Sequence, residues 1–564
     1  MSLTALSSAP PPGLNPAQVN LRSLPDTIAK VNAPGYVRQP APSPLAGGGQ
    51  GAGLSIEGAA RTADRYLRLA SLTASSDAGR WGVISQELSE AQALFELPRP
   101  DDIFTAFAAA ADDPSPSRRG RVVSHVQEFL AQSARIETQS SQLGEALEGR
   151  ISTDVDRAND LLGQISQLNA EISRTKLASG EARVPENLQT DLVDELATLM
   201  NVRVAPRGNG GVTVRSAEGL LLAGDGMAAT LSYNRADPTR GYVAVEPEGE
   251  VGFAQPIQIT GGQIAGRMEL RDATLPGIAD QLGQFVSHTA ELINAGYNKT
   301  TSSPAPNLLA GRDIGMDLPT ALSGFTGSAT VAVLGAAGSD NGVVQRKVEI
   351  DFDAMTLTPG GGFTPTTFLP ALNRALGGAA TATFTDGALG VDGAAGTGVA
   401  IDEGGSIKAG RAFSHLFGMN DLIQSGGASE RDVRAAKFEV DPAVVQDPMK
   451  LGLGVLDLSV APGGRAITAD DGRGARLLGE LGAMLGDYAA EVGGSIERQM
   501  QAADARKSTA LAVAQEATVR RGAVEGVSLN EELATMTTYQ QAFSAAARMS
   551  QAARGLSDML AKIA

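Results

Sequence analysis

The sequence contains no cysteine, which excludes a disulfide framework and thiolate chemistry. Only three histidines occur among its 564 residues, so a histidine-rich metal site is not expected. Tryptophan occurs once. No run of about eighteen apolar residues offers a membrane span, and the opening MSLTALSSAPPPG lacks the basic and apolar regions of a cleaved secretory signal. The chain is therefore expected either to stay inside the cell or to be exported without a cleaved signal.

An excess of basic residues is also missing. The formal net charge is −17 and the sequence pI is about 4.8. Binding to nucleic acid or to an anionic membrane needs a positive field, so we expect neither partner. Solubility is the plainer interpretation of this charge.

The usual catalytic motifs are absent as well. The sequence has no GxxxxGK[ST] loop and no GxSxG elbow. Gly224–Ala229 reads GDGMAA, but a strand-like run follows it where a dinucleotide site needs a helix, so we interpret it as a hairpin turn. We predict no catalytic residues, no metal site and no cofactor.

The remaining polar candidates are few and scattered. Three aspartate pairs lie beside Pro or Gly and are expected to be solvated: 101–102, 112–113 and 470–471. The three histidines, His125, His288 and His415, lie on segments predicted to be helical and are expected to fill ordinary packed or surface positions. The arginine pairs 118–119 and 520–521 are expected to cap or flank helices.

Long helical patterns dominate the sequence on both sides of a β-rich middle. Between Ser117 and Val184 there is no proline, and apolar residues from Ile136 to Ile172 recur at steps of three, four or seven. This predicts a helix far longer than the average of about 11 residues. A second helical region is predicted from Ala475 to the end, with a break at 522–526.

Between these helices the residue composition and pattern are typical of strands and turns. Residues 202–226 alternate β-branched side chains and contain Gly-Asn-Gly-Gly, which predicts a hairpin. The predicted fold class is α+β and multidomain, with a long helical bundle or coiled coil formed by the N- and C-terminal regions and mainly β domains inserted in the middle. We expect residues 1–40 with 525–564 to be terminal helices, 41–200 with 261–305 and 463–524 a rod of long helices, 201–260 a small β subdomain, and 306–462 an outer, mainly β domain.

Each end of the chain carries an apolar stripe at the spacing of a helix that packs against another helix. The two stripes are the candidate assembly residues: Leu14, Leu21, Leu24, Ile28, Val31, Leu533, Met536, Tyr539, Phe543, Leu556, Leu560 and Ile563. Pro34 and Gly35 are expected to form the turn after the first stripe, and Pro25 to kink or break its helix. Periodicity leaves open whether the stripes pair within one chain or between copies.

The two ends also resemble one protein family. IAKVNAPGYVRQ, residues 28–39, resembles the N-terminal signature of flagellar rod, hook and hook-associated proteins, and the segment from Gly526 to Leu560 resembles their C-terminal pattern. Residues 160–173 and 261–285 are similar to segments of the family member at the junction between hook and filament. The matched blocks cover about half of the chain and occur in the family's order.

This resemblance implies a structural role and not an enzymatic one. It implies type III export without a cleaved signal peptide to an extracellular place in the bacterial flagellum, and self-association there in a ring. The implied neighbours are the hook protein below and a second junction protein or flagellin above, and an export chaperone is expected on the C-terminal stripe. No cofactor, nucleic acid or membrane is implied.

Two other functions remain open from the sequence. A hook or filament subunit would share the terminal motifs. A coiled-coil-bearing cell-wall hydrolase would need a pair of carboxylates converging in a pocket, and no such pair is evident in the sequence.

Overall fold

A computed structural model of the protein describes residues 53–91, 97–179, 182–224, 226–237, 240–247, 252–335, 342–425, 435–525 and part of 533–555. Within these residues the chain forms two compact units. Unit 1 comprises the described residues up to Glu90, Glu145–Asp272, and those from Met500 on; unit 2 comprises Ala91–Gly144 and Ala273–Gln499. Each unit combines long helices with antiparallel sheets.

The helices of both units have the following bounds: α1 Gly53–Ala91, α2 Asp101–Asp112, α3 Pro116–Ser179, α4 Arg183–Leu199, α5 Gly262–Glu269, α6 Leu275–Tyr297, α7 Leu318–Leu322, α8 Phe368–Leu376, α9 Phe413–Phe417, α10 Pro442–Gln446, α11 Arg473–Glu480 and α12 Gly482–Glu525. A π-helical turn, Leu270–Thr274, joins α5 to α6. Helices α3 and α12 each contribute to both units.

The first seven strands belong to unit 1: β1 Val202–Pro206, β2 Val212–Ser216, β3 Leu221–Gly224, β4 Met227–Ala228, β5 Thr230–Asp237, β6 Arg240–Glu246 and β7 Gln255–Ile257. They form two antiparallel sheets, in the orders β1-β2-β3-β4 and β5-β6-β7. The predicted hairpins are confirmed: Val204 pairs with Val214, and Gly224 pairs with Met227 across the GDGMAA turn.

Both sheets share one apolar core with the long helix. Ile151, Val155, Leu162 and Ile165 of α3 are fully buried together with side chains from strands β2, β3, β5 and β6. Nearly every position of the stripe predicted from Ile136 to Ile172 is buried. Packing along this apolar face therefore stabilises α3, which is 64 residues long. The predicted long helix is confirmed.

Asparagines on helices hold several strands by their backbone. Asn169 of α3 is fully buried, and its amide donates to the Val212 carbonyl and accepts from the Val212 N–H, both at 2.8 Å. Asn159 makes the same pair of bonds with Leu231, at 2.8 and 2.7 Å. A carboxamide carries a donor and an acceptor side by side, so it can satisfy strand groups that would otherwise be buried unpaired.

The remaining strands belong to unit 2: β8 Leu308–Ala310, β9 Ser328–Leu334, β10 Val344–Asp351, β11 Thr356–Thr358, β12 Gly361–Gly362, β13 Ala380–Thr385, β14 Ala388–Gly393, β15 Gly398–Asp402, β16 Ile423–Ser425 and β17 Phe438–Val440. The five-stranded sheet has the order β12-β11-β10-β9-β15, and a three-stranded sheet has the order β13-β14-β8. Phenylalanines concentrate in their core, where the rings of Phe325, Phe352 and Phe413 lie within 4.9–6.0 Å of one another.

The helices of unit 2 pack through small residues, as the glycine- and alanine-rich composition indicates. A Cβ atom added to Gly479 of α11 would lie 3.1 Å from the Cβ of Ala108 on α2, and one added to Gly472 would lie 2.1 Å from the Ala111 carbonyl oxygen. The backbones of α2 and α11 can approach this closely because these side chains are missing.

Some local predictions are wrong in detail. Residues 261–305 were expected to contribute to a rod of long helices, and a π-helical turn at Leu270–Thr274 divides this helical region into α5 and α6. Gly522 lies inside α12, which continues to Glu525, so the expected break does not begin at 522. Asp101 and Asp102 occupy the first turn of α2, where the helix dipole favours negative charge. Long helices toward both ends of the described chain and sheets in its middle confirm the predicted fold class.

Candidate assembly surface

The C-terminal stripe is described in part. Residues described between 533 and 555 are helical, Leu533 is 41% exposed, and Met536 and Phe543 are half-buried. The other predicted assembly and turn residues lie outside the described residues: Leu14, Leu21, Leu24, Ile28, Val31, Pro34, Gly35, Tyr539, Leu556, Leu560 and Ile563. Their pairing therefore stays a prediction.

Helices α1 and α12 run antiparallel in unit 1. The Ser85 hydroxyl of α1 lies 3.1 Å from the Asp504 carboxylate, and Ser71 lies 3.5 Å from the Arg521 guanidinium. Moving toward the start of α1 thus means moving toward the end of α12. The first half of α1 and the end of α12 consequently lie at the same end of unit 1.

The hairpin of α3 and α4 reaches the same end. Arg157 pairs with Glu195 at 2.6 Å and Lys176 with Glu186 at 2.5 Å, which sets α4 antiparallel to the last part of α3. Arg68 of α1 donates to Thr190 of α4 at 2.9 Å. The first half of α4, and the end of α3 that pairs with it, therefore lie beside the first half of α1.

Large apolar side chains remain exposed at this end of unit 1. We call them the end surface: Tyr66, Leu69, Leu177, Val184, Leu188 and Val519. Leu177 is 88% exposed and Val184 71% exposed. Isolated exposed apolar residues are ordinary, but a group of them at one end of a unit marks a candidate interaction site.

A partly buried ion pair fixes the helices beneath the end surface. Arg521 of α12 donates to both carboxylate oxygens of Asp194 on α4, at 2.9 and 2.6 Å. The pKa of the Asp191 carboxyl is raised by partial burial and by the neighbouring Asp194 charge. The positive charge of Arg521 lowers this pKa but does not cancel the rise. Arg521 lies inside α12 and does not cap or flank it as expected, and its ion pair ties α12 to α4.

A groove of about 620 Å³ lies in unit 1 between α1, α5 and α12. Its lining includes Gly82, Val83, Leu511 and Lys507, and Glu90 is the one carboxylate among the lining residues. The paired carboxylates that a glycoside hydrolase uses are not present in this groove. It therefore gives no support to the hydrolase alternative.

One cluster of titratable side chains in unit 2 is structural, and its Glu403 and His415 side chains are buried. Glu403 accepts from the backbone N–H groups of Ser414 and His415 at 3.0 and 3.1 Å, at the start of α9. The His415 Nε2 atom lies 3.2 Å from a Glu291 carboxylate oxygen, and Arg411 donates to the same oxygen at 2.6 Å. These bonds join α6 to α9 and the segment that precedes it.

Burial raises the pKa of Glu403 to about 7, although the backbone donors of Ser414 and His415 lower it. Burial alone would also raise the pKa of Glu291, but the hydrogen bonds and charges of His415 and Arg411 bring it down to about 2. The two carboxyls therefore respond to pH in opposite directions.

The pH dependence of unit 2 should reflect Glu403. A raised pKa in the folded state contributes stability that is complete below the ordinary carboxyl pKa and is lost as the pH rises through the folded value. We expect unfolding of the wild-type chain to cost about 1 kcal/mol less at about pH 8.5 than at about pH 6. Circular dichroism in urea measures this, and Glu403→Gln should remove most of the difference.

Glu291 has the opposite sign. Its depressed pKa contributes stability above the ordinary carboxyl pKa, and this is lost as the pH falls toward about 2. Glu291→Gln should therefore leave the change between about pH 6 and about pH 8.5 intact, which makes it the control for Glu403→Gln. An equal pH response in wild-type and Glu403→Gln protein would contradict the assignment.

The other candidates from the sequence have separate, ordinary contacts. His125 lies 3.3 Å from Glu128 on the same helix, and the His288 ring lies 4.5 Å from that of Tyr488. Asp471 is not solvated as expected, because it accepts from Val455 N–H at 3.1 Å and pairs with Arg473 at 2.6 Å. In the described part of the chain, no group of three or more His, Asp or Glu side chains is placed to hold a metal ion.

The sequence did not indicate the end surface. Its members lie off the periodic stripes: Leu177 comes five residues after Ile172, so it falls outside the steps that place a residue on the buried face of α3. The available signal in the sequence is an apolar residue that lies off the buried face of its own helix. Whether such a residue is exposed or covered depends on which helices pack beside it.

Comparison with known proteins gives a consistent result. The family described as the flagellar hook-associated protein FlgK helical domain matches residues 98–302, and that described as the flagellar basal body rod FlgEFG protein C-terminal matches residues 521–563. Flagellar hook-associated protein 1 of Escherichia coli K12 is 27% identical over 367 residues, 60% of this chain and 65% of the relative. The Salmonella typhimurium LT2 protein of the same name is 27% identical over 312 residues, 51% of this chain and 55% of the relative.

The aligned regions thus span less than two-thirds of these curated relatives. Among solved structures, the flagellar hook junction protein FlgK from Burkholderia pseudomallei is similar with a TM-score of 0.43 and 16% identity, covering 80% of this chain and 99% of that one. No helix in the described ranges combines the length and the apolar character needed to cross a bilayer.

Proposed function

Because the chain belongs to the family of flagellar hook-associated protein 1, we propose that it is a structural component of the bacterial flagellum at the junction between hook and filament. The observation that carries this proposal is the match of two separate regions, the long helices at 98–302 and the tail at 521–563, to flagellar families. The molecule acts by assembling, and it needs neither a cofactor nor catalytic residues.

Assembly joins the apolar stripes at the two ends of the chain. Fully burying one Leu, Ile, Met or Phe side chain contributes about 1.5–3 kcal/mol of stabilisation. A stripe left in water therefore lacks on the order of 10 kcal/mol of stabilisation that burial would supply. The described residues between 533 and 555 are helical already in the single chain, and neighbours that bury the stripes stabilise the terminal helices further. The antiparallel contact of α1 with α12 supports this pairing, because it brings the first half of α1 and the end of α12 to the same end of unit 1.

The proposed arrangement is a ring of copies on the hook. Residues 1–40 and 525–564 form its axial core, and the long helices of 41–200, 261–305 and 463–524 form a surrounding rod. The small β subdomain, 201–260, and the outer β domain, 306–462, lie outside the core. The hook protein lies below the ring, and a second junction protein or flagellin lies above it.

Export precedes assembly. The chain passes unfolded through the type III channel to its extracellular place without a cleaved signal, and the absence of cysteine prevents crosslinks during passage. A secretion chaperone covers the C-terminal stripe beforehand, because an exposed stripe of this kind promotes aggregation.

Copy counting tests the proposal. The natural chain has no cysteine, so Met227→Cys, which replaces an exposed residue of β4, provides a single site for a fluorescent maleimide. We expect one labelled spot of a few copies per flagellum, at the point where hook meets filament. Label spread along the hook or along the filament would instead identify a subunit of that polymer, and the absence of label from flagella would overturn the proposal.

A further inference from the structure

We infer that Asn373 is an edge cap: its side chain occupies the free hydrogen-bonding edge of strand β13 and thereby prevents this strand from pairing with a strand of a second copy. Asn373 is thus a specificity-determining residue, because it limits how copies of the chain can associate. The inference deepens the proposed function, and it rests on that function only for its role in the flagellum. Asn159 is placed in the same way on strand β5.

The first argument is the geometry of the cap. The Nδ2 atom of Asn373, on α8, donates to the Ala382 carbonyl at 2.8 Å, and its Oδ1 atom accepts from the Ala382 N–H at 2.7 Å. Strand β13 is an outer strand of the sheet β13-β14-β8. Because both backbone groups of Ala382 are directed to Asn373, those of Ala380 and Phe384, two residues away on each side, also point away from β14. Asn373 therefore fills the middle of the free edge.

The second argument is the composition of β13. The strand Ala380–Thr385 reads ATATFT and contains no charged residue, no proline and no glycine. Its pairing with β14 is regular, without a bulge. Six-residue segments of this kind pair readily with copies of themselves, and exposed edges are usually protected by lysine, proline or a bulge. The cap supplies the protection that the sequence of β13 lacks.

The third argument is where such caps occur. Asn159 of α3 binds both backbone groups of Leu231 on β5, which is eight residues long and is also an outer strand of its sheet. Several outer strands without such a cap are short or carry proline: β7 has three residues with Pro256 in the middle, β12 consists of two glycines, and β1 ends at Pro206. The caps thus lie on the two longest outer strands of the described chain.

Removing the cap leaves the backbone groups of Ala382 without a partner. Ala382 is 2% exposed, so water cannot easily take the place of Asn373, and buried backbone groups that lack partners destabilise the fold. Another strand added at the same edge restores both bonds. The β13 strand of a second copy fits this edge, because two antiparallel copies of one strand are related by a two-fold axis. The proposed ring would bring many such edges to high local concentration.

Crosslinking of the purified full-length chain tests the inference. Thr383→Cys places one thiol at an exposed position of β13 in a chain without cysteine. When Asn373→Leu is added, we expect a bis-maleimide to give about tenfold more product of twice the chain's mass. A tenfold change corresponds to about 1.4 kcal/mol, which is within the cost of leaving one buried backbone group unpaired.

Ile350→Ala, combined with Thr383→Cys, is the matched control. Ile350 lies on the inner strand β10 and is buried in the same apolar core, so its truncation weakens this core but leaves Asn373 in place. The control should give no more product than Thr383→Cys alone. Equal product from Ile350→Ala and Asn373→Leu would show that loosening of the fold is sufficient, and would overturn the inference.

Asn373→Asp keeps the test decisive if Asn373→Leu does not fold, which circular dichroism measures. The carboxylate can accept from the Ala382 N–H but cannot donate to its carbonyl, so this variant should also give more product than Thr383→Cys alone. No increase in a folded Asn373 variant would overturn the inference and leave the junction role intact. Absence of the labelled chain from flagella would overturn the junction role and leave the crosslinking result unchanged.

Discussion

Phe543→Asp should abolish incorporation of the chain into flagella. Phe543 lies on the C-terminal stripe and is half-buried in the single chain. Replacing it loses the burial of a large apolar side chain and places a carboxylate where a neighbour packs. The change should cost about 4 kcal/mol or more per contact, which is about a thousandfold in affinity. In the proposed ring every copy makes this contact, so the loss would recur at each interface.

Ser544→Asp is the matched control, because it adds the same charge one residue further along, at an exposed position. Immunoblots of isolated flagella measure incorporation, and circular dichroism of the purified chains checks that both units remain folded. We expect Ser544→Asp to assemble and Phe543→Asp to stay out of flagella with a normal spectrum. Normal incorporation of Phe543→Asp would contradict the proposed packing mechanism.

Arg267→Met should strongly destabilise unit 1. Arg267 of α5 pairs with Asp154 of α3 and lies 3.4 Å from Glu87 of α1, whose carboxylate side chain is 2% exposed. Arg150 also pairs with Glu87. Burial raises the pKa of Asp154, and the Arg267 charge and hydrogen bond lower it. Removing Arg267 leaves Asp154 without this cation, and loss of one partner of a buried pair costs about 3–5 kcal/mol.

Arg157→Met is the control for Arg267→Met. Arg157 and Glu195 also form an ion pair, at 2.6 Å, but both side chains are more than 40% exposed. Such a pair is worth about 0–1 kcal/mol. Trp81 is the sole tryptophan of the chain and lies in unit 1, with Arg80 and Arg506 at 5.2 and 4.6 Å from its ring, so its fluorescence in urea reports the unfolding of this unit.

The pH response separates loss of charge pairing from loss of packing. Without Arg267 the pKa of Asp154 in the folded state should rise further above its unfolded value. Protonation would then stabilise the variant, so Arg267→Met should regain stability as the pH falls, more than wild type does. An equal cost for Arg267→Met and Arg157→Met, or no such recovery, would contradict this account.

Most helices and hairpins could be predicted from the sequence because their signals are local. The stripe on α3 places Ile151, Val155 and Ile165 on one face whatever lies opposite, and the alternation in β1 and β2 brackets a Gly-containing turn. The π-helical turn at Leu270–Thr274 was missed because its flanking residues keep a helical pattern. Asp471 was expected to be solvated because its partners, Val455 and Arg473, cannot be inferred from a loop-like composition.

The candidate assembly surface likewise has one part that the sequence predicted and one part that it did not. The terminal stripes were predicted from spacing and from the family motifs that contain them, since both are properties of contiguous residues. The end surface was not recognised, because it depends on α1, α4 and α12 meeting at one end. The ion pair between Arg521 and Asp194 holds α12 against α4, and these two residues are 327 positions apart in the chain.

The sequence by itself determined which segments are helices and strands, which face of each is apolar, and which family the two ends resemble, because periodicity and motifs are properties of neighbouring residues. The tertiary structure alone decided the antiparallel register of α1 and α12, the burial of Glu87 beside Arg267, and the exposure of Leu177 and Leu188. The physical reason is that burial and charge pairing belong to contacts between distant segments. Such contacts are selected by the packing of the whole unit and leave no local signature.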